Sequence, residues 1–243
     1  MATNPMNQFE VYSIGPKIQL GNFDISFTNA SLFMVLTVSL ISIFFILATQ
    51  KKSLVPNKIQ LIAEMIYEFV SKMISDTAGK DARPYFPFIL SLFLFVLVCN
   101  MIGMIPYSFT VTSHIIVTFA MALFVFVGVT IIGFAKHGVS YLKLFVPSGV
   151  PTVLLPLIVV IEIISYLSRP ISLSVRLFAN MMAGHTMLKV FGGFVVSLGI
   201  LGGWLPLGFS IALTGLEILV AFLQAYVFAI LTCIYLNDAL NLH

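Results

Sequence analysis

VLLPLIVVIEIISYLSRPISLSVRLFANMMAGHTMLKVFGGFVVSLGIL, residues 153–201, is the stretch on which the fold turns. It is apolar almost without interruption for 49 residues, and at 1.5 Å per residue a helix of that length reaches roughly 73 Å, more than twice the ~30 Å hydrocarbon core of a bilayer. It cannot stand as one upright helix: it turns back or lies strongly tilted, and Pro170 or the Gly192-Gly193 pair offers a place to bend. The whole 243-residue chain is 60% hydrophobic and 9% charged, against roughly 25% charged in a soluble domain. That is too little polar surface to enclose a core in water, which excludes a soluble enzyme and makes lipid the solvent for most side chains. The 12 Lys and Arg are scattered over the chain, so the net charge of +3 forms no phosphate-tracking stripe and implies no nucleic acid. Cys99 and Cys233 stand alone within long apolar runs and read as small buried hydrophobes, implying no disulfide or metal framework.

Outward from the long run, the same arithmetic finds further spans. The first 29 residues are mixed and polar, with Glu10, Lys17 and Asp24. The uncharged run 30–49 follows and ends at Thr49-Gln50-Lys51-Lys52 rather than at a small-residue cleavage site, so it is a retained membrane helix. Over 58–77, Ile59, Ile62, Ile66, Phe69, Val70 and Met73 recur at spacings of three and four, while Glu64, Glu68 and Lys72 hold the other side. This predicts an amphipathic helix on the membrane surface or on a partner. Runs 85–105 and 115–134 form a helical hairpin through a short turn containing Pro106, Tyr107 and Ser113, and a loop at Gly202-Gly203-Trp204-Leu205-Pro206 leads to a last helix over 205–236. Trp204 suits an interfacial anchor. Six Lys or Arg lie between Lys51 and Arg83 and two more, Lys136 and Lys143, follow the third span, whereas 106–114 holds none. The positive-inside rule puts the basic loops in the cytoplasm or matrix and the amino terminus outside. No repeat or linker divides the chain. The expected fold is an all-α integral membrane protein, a single domain over 1–243, with about five membrane-inserted helices plus one amphipathic surface helix, the last two helices long and tilted.

Ionisable residues inside the last two apolar stretches need a reason, because each costs at least about 2.5–3.5 kcal/mol at a helix centre. They are Glu162, Arg176, His185 and Glu217, with Arg169 and Lys189 nearer the edges. The plainer account is a buried ion pair or a snorkelling side chain that holds helices together. Spacing favours function for the group: Glu162, Ser165, Ser168, Arg169, Ser172, Arg176 and Asn180 follow at intervals that place them on one helical face, a polar ridge across the membrane. Beyond it Ala179, Ala183 and Gly184 are small enough to let a neighbouring backbone approach Arg176. Glu217 and Gln224, seven apart, share a face of the last helix. The topology then puts His185 and Glu217 at the outer level, Arg176 and Gln224 near the middle and Glu162 toward the inside, with Glu162 and Arg176 separated by about 21 Å along the axis. Arg stays protonated and blocks rather than relays, whereas Glu and His titrate. Asn100, inside the second span, reads equally well as a helix–helix hydrogen-bonding residue.

Ser172-Leu173-Ser174-Val175-Arg176-Leu177-Phe178-Ala179-Asn180-Met181-Met182-Ala183-Gly184-His185 resembles subunit a of F-type ATP synthases. The likeness includes Glu162, Ser168-Arg169-Pro170, Glu217, Leu223-Gln224-Ala225-Tyr226, the Asn100 segment and the amphipathic helix. It covers essentially the whole chain and is densest over 151–238. The resemblance implies a non-catalytic, stationary proton-conducting subunit packed against a ring of c subunits, joined by peripheral-stalk b-type subunits and other subunits of the synthase, in a bacterial or mitochondrial energy-transducing inner membrane. It implies no cofactor and no metal. By the same resemblance Arg176 is the essential arginine with Asn180 and Gln224 beside it; Asn100, His185 and Glu217 line an outer half-channel, and Glu162, Ser165, Ser168 and Ser172 an inner one. Which of His185 and Glu217 takes the proton first stays open, as does the choice between protons and sodium ions, since ion choice lies mainly in the ring. The chain has no GxxxxGK[ST] loop, in keeping with a subunit that makes no ATP itself.

Three rivals fit less well. A secondary transporter calls for paired inverted repeats, which are not evident in the sequence. The second is a haem- or quinone-binding respiratory subunit: haem ligation calls for paired His at membrane depth, whereas of His114, His137, His185 and His243 only His185 is well inside a span. A purely structural anchor leaves the ordered polar ridge without a reason.

Overall fold

Six α-helices in chain order make up nearly all of the computed structural model, which describes residues 9–15, 19–20, 23–24, 26–50, 56–105, 108–146 and 154–241. Lys17, Lys51, Lys52, Pro106, Tyr107, Pro151 and Val153 lie outside the described residues. The helices are α1 (Asn29–Gln50), α2 (Lys58–Ala78), α3 (Phe86–Gly103), α4 (Ile115–His137), α5 (Leu155–Gly202) and α6 (Trp204–Leu240). Short 3-10 turns at Lys80–Tyr85, Val111–Ser113 and Gly138–Phe145 connect or extend them. Five of the helices, all but α2, are long and apolar enough to cross a bilayer. Among the described residues, extended pairing is confined to the amino-terminal segment: Gln19–Leu20 with Phe23–Asp24, and a bridge between Ser13 and Thr28.

Local chemistry explains the boundaries. Asn57 caps α2, its side chain accepting the Lys58 N–H at 2.7 Å, and a Pro stands in the first turn of both α3 and α5, where its missing N–H costs nothing. The break in the long apolar run falls neither at Pro170 nor at Gly192-Gly193 but at Gly199, whose φ of 59° and ψ of −159° are the non-helical dihedrals inside α5. Pro170 removes one hydrogen bond from a helix that its neighbours hold in place, and the paired glycines permit a bend without requiring one. Gly199 takes a backbone conformation that only glycine adopts without strain, and the chain turns there into α6. Trp204 opens α6 with 69% of its surface exposed. From Leu155 to Gly199 the helix still runs 45 residues, roughly 68 Å, so it cannot stand upright within ~30 Å of hydrocarbon.

α5 packs against both α4 and α6, which also meet each other, and α6 packs in turn on α3 and α2. The shared core joins Val70 and Ile74 of α2, Phe93 and Val96 of α3, Val125 of α4, Leu173 and Leu177 of α5 and Phe228 and Cys233 of α6. Cys99 and Cys233 are both buried and free. α2 buries only the later part of its apolar stripe: Val70, Met73 and Ile74 are covered, while Ile59, Ile62 and Phe69 stay 39–46% exposed. Its first half therefore offers an apolar face to lipid or to another protein, as the periodicity predicts.

Candidate functional site

Three polar pairs tie α5 to α6 and set their antiparallel register. His185 faces Glu217, with Nδ1 to Oε1 at 3.4 Å; Asn180 Nδ2 donates to Gln224 Oε1 at 2.8 Å; and Arg169 Nη1 donates to Asp238 Oδ2 at 3.0 Å. Each pair joins a residue further back on α5 to one further along α6, so Arg169 and Asn180 of the ridge anticipated on α5, together with His185, meet Asp238, Gln224 and Glu217 along one seam. Two polar lines in mutual contact cost far less in hydrocarbon than the same groups facing lipid.

Around His185 the seam widens into a buried polar cluster. Glu217 is 5% exposed, and among the described residues neither of its carboxylate oxygens has a hydrogen-bond partner, the imidazole lying within ion-pair range but out of hydrogen-bond alignment. The other ring nitrogen of His185, Nε2, is 3.0 Å from the Thr110 hydroxyl. Asn100 is fully buried on α3; its Nδ2 donates to the Ala221 carbonyl at 3.2 Å, one turn from Glu217, and its Oδ1 accepts from Thr112 at 2.8 Å. Asn100 thus joins the same cluster through the Val111–Ser113 turn. The ring of Phe9 stands 6.5 Å from that of His185, which brings the amino-terminal segment to the rim of the cluster. Thr110, Thr112 and Phe9 were not anticipated from the sequence. The polar run Thr110-Val111-Thr112-Ser113-His114, next to a buried Asn in the preceding helix, was the one signal that pointed to the two threonines.

Small residues near Arg176 divide into two uses. Gly184 faces Glu217 so closely that a Cβ there would lie 2.6 Å from Oε1, so its smallness serves the carboxylate within this chain. Ala179 and Ala183 are exposed and leave open the surface beside Arg176.

Arg176 itself is exposed, as are Ser172, Ala179 and Ala183 on its face of α5, while the neighbouring Leu173 and Leu177 are buried, and among the described residues it has no hydrogen bond and no ion pair. Ser165, Ser168 and Ser172 continue the exposed line toward the start of α5, with half-buried Glu162 at its end; the Ser168 hydroxyl donates to the Ser165 carbonyl at 2.7 Å. These residues stand apart from the His185 cluster, on the far side of Arg176. Arg169 leaves the ridge, since its guanidinium turns to Asp238 and lies over the rings of Tyr166 and Tyr235 at 5.3 and 4.9 Å. Tyr166 is anchored in turn, its hydroxyl 2.7 Å from Thr130 and 3.1 Å from the Tyr141 hydroxyl. Among the described residues no group of three His, Cys, Asp or Glu is placed to hold a metal ion.

Chemically α5 carries a buried titratable cluster toward one end, an exposed line of hydroxyls with a carboxylate toward the other, and between them a guanidinium that has no hydrogen-bond or ion-pair partner among the described residues. The sequence model of a family described as ATP synthase A chain matches residues 31–237. The chain is 79% identical over 243 residues to ATP synthase subunit a of Pelagibacter ubique (strain HTCC1062), covering all of both chains. It is 61% identical over 247 residues to the protein of that name from Chelativorans sp. (strain BNC1), covering 99% of each, and 58% identical over 244 residues to that of Mesorhizobium japonicum, covering 98% of this chain and 96% of the relative.

Proposed function

Because this chain belongs to the ATP synthase A chain family, we propose that it is the stationary half of a proton path, in which Arg176 separates an outer half-channel at His185, Glu217 and Asn100 from an inner one at Glu162, Ser165, Ser168 and Ser172. It is a membrane subunit that conducts protons rather than a catalytic one. Its working partners are the other subunits of the synthase, namely a ring of c subunits against the Arg176 face and peripheral-stalk b-type subunits elsewhere. Its bacterial relatives support a bacterial inner membrane as its location.

The observation that carries this reading is the unpartnered guanidinium. Arg169 meets a carboxylate and two aromatic rings within the chain, and His185 and Glu217 meet each other. Among the described residues Arg176 meets no carboxylate and no aromatic ring at such a distance, yet a permanent cation at membrane depth demands a counter-charge. The open face that Arg176 shares with Ala179 and Ala183 fits a closely approaching helix of another subunit that brings a carboxylate.

In this mechanism a proton enters from outside through Glu217 and His185 and neutralises a ring carboxylate, which then travels through lipid because only the neutral form tolerates hydrocarbon. Once the ring has turned, the carboxyl loses its proton to the path lined by Ser172, Ser168, Ser165 and Glu162, since a nearby guanidinium favours the ionised form. Arg176 binds each arriving carboxylate and, being unable to relay a proton, keeps the two paths from joining. Each charge crossing at 100 mV supplies about 2.3 kcal/mol.

Proximity tests the assignment. A cysteine replacing Ala183 should form a disulfide, in the intact complex, with a cysteine placed one turn from the membrane carboxylate of the c subunit. A cysteine replacing Val125, buried on α4, should not. No cross-link from position 183, or one formed only with a b-type subunit, would contradict the reading.

A further inference from the structure

Thr110 touches His185 on the side away from Glu217, and its surroundings decide which way its hydroxyl points. It is 4% exposed and lies 3.0 Å from His185 Nε2 and 3.3 Å from the carbonyl of Gly103 at the end of α3. A hydroxyl has one hydrogen to give and two lone pairs with which to accept. The carbonyl can only accept, so a bond between it and Thr110 uses the threonine hydrogen. Ser108, the other hydroxyl near that carbonyl, lies 2.5 Å from the Ile102 carbonyl and 2.7 Å from that of Ile105, both nearer than its 3.2 Å to Gly103. Ser108 lies nearer two other carbonyls, which leaves Thr110 as the described hydroxyl best placed to serve the buried Gly103 carbonyl, and a Thr110 that donates there only accepts from the imidazole.

We propose that Thr110 is a positioning residue that holds neutral His185 in the tautomer with its proton on Nε2, so that Nδ1 is the atom through which His185 exchanges protons with Glu217. The proposal rests on the outer path proposed above. Which nitrogen of an imidazole carries the proton is set by the hydrogen bond at the other. A bare Nδ1 at 3.4 Å from Oε1 is within a small side-chain movement of accepting a proton from a protonated Glu217. The carboxyl O–H bond breaks as the Nδ1–H bond forms, leaving an imidazolium beside a carboxylate, while the Nε2–H stays on Thr110 throughout. Loss of the Nδ1 proton to the carboxylate of the ring, or back to Glu217, restores the same tautomer ready for the next proton. In the opposite tautomer Nδ1 is already occupied and cannot accept.

Two measurements on the intact complex in liposomes decide the matter. The first is the 15N solid-state NMR spectrum of the histidine-labelled wild-type complex at about pH 9, where a free imidazole is neutral, with the His185 signals identified by their loss in His185→Gln. A protonated Nε2 and a bare Nδ1 are expected; a protonated Nδ1 overturns the proposal. The second is passive proton flux per assembled subunit: Thr110→Val, isosteric but without the hydroxyl, should lose about tenfold, and Thr110→Ser should keep at least about half of the wild-type flux. Full flux in the valine variant, or equal loss in both, overturns it. The wild-type spectrum holds even where the valine variant fails to assemble. Glu217→Gln separates the two levels: if it stops flux while Thr110→Val does not, only this proposal fails, and if Glu217→Gln leaves flux unchanged, the outer path itself fails.

Discussion

Gly184 leaves the space that the Glu217 carboxylate fills: a side-chain carbon at 184 would stand 2.6 Å from Oε1 and 3.0 Å from the carboxyl carbon. Adjacent in sequence, Gly184 and His185 therefore act on one partner, the glycine by making room for the carboxylate and the histidine by facing it at 3.4 Å. The smallness at position 184 is thus a condition for the titratable pair.

A first prediction follows. Gly184→Val pushes the end of the Glu217 side chain away from His185, and crowding of this kind costs about 1–3 kcal/mol. The complex should still assemble, with passive proton flux per complex falling about tenfold or more, and Gly184→Ala should lie between. Wild-type flux in Gly184→Val would show that the spacing of His185 and Glu217 is not critical.

Asp238 should matter for stability through Arg169. The pair meets at 3.0 Å with side chains 20% and 33% exposed, and the guanidinium is held between Tyr166 and Tyr235. Asp238→Asn leaves a half-buried cation without its counter-ion, at a cost of about 1.5–3 kcal/mol. The thermal midpoint of the purified complex should drop, and Arg169→Gln added to Asp238→Asn should recover part of the loss by removing the stranded charge. A double variant less stable than either single one would contradict this pairing.

His114 gives a pH signature outside the membrane spans. It stacks on Phe109 with centroids 4.9 Å apart, its buried Nε2 has no hydrogen-bond partner among the described residues, and burial holds its pKa below the ordinary imidazole value of 6.5. The folded state therefore resists protonation while the unfolded chain accepts it. The His114 contribution is constant above about pH 6.5 and turns against folding as the pH falls from there toward the depressed folded pKa. The thermal midpoint should fall between about pH 7.5 and 5.5, and fall less in His114→Gln. An identical fall in both proteins would rule His114 out as a source of acid sensitivity.

Much of the architecture could be read from length and spacing, because in lipid a run of apolar residues of the right length has few options but to be a helix. The amphipathic α2 showed in its three-and-four spacing for the same reason. The facing of α5 and α6 was legible in part: Glu217 and Gln224 share a helical face, as do Arg176 and Asn180, and two polar faces in one membrane are driven together. What sequence could not supply was contact between distant segments. Nothing local marks Asp238 as the partner of Arg169, 69 residues away, or Thr110 as the neighbour of His185, 75 residues away. The bend at Gly199 was likewise hidden, because Pro170 and Gly192-Gly193 are stronger local signals and packing overrules them.

The central claim is that an unpaired Arg176 keeps two proton paths from joining. ATP-driven proton pumping by reconstituted vesicles carrying Arg176→Ala, in sodium-free and sodium-containing buffer, tests it most directly. The expected result is complete loss of pumping in either buffer, with normal subunit content. Pumping retained in Arg176→Ala would contradict the account.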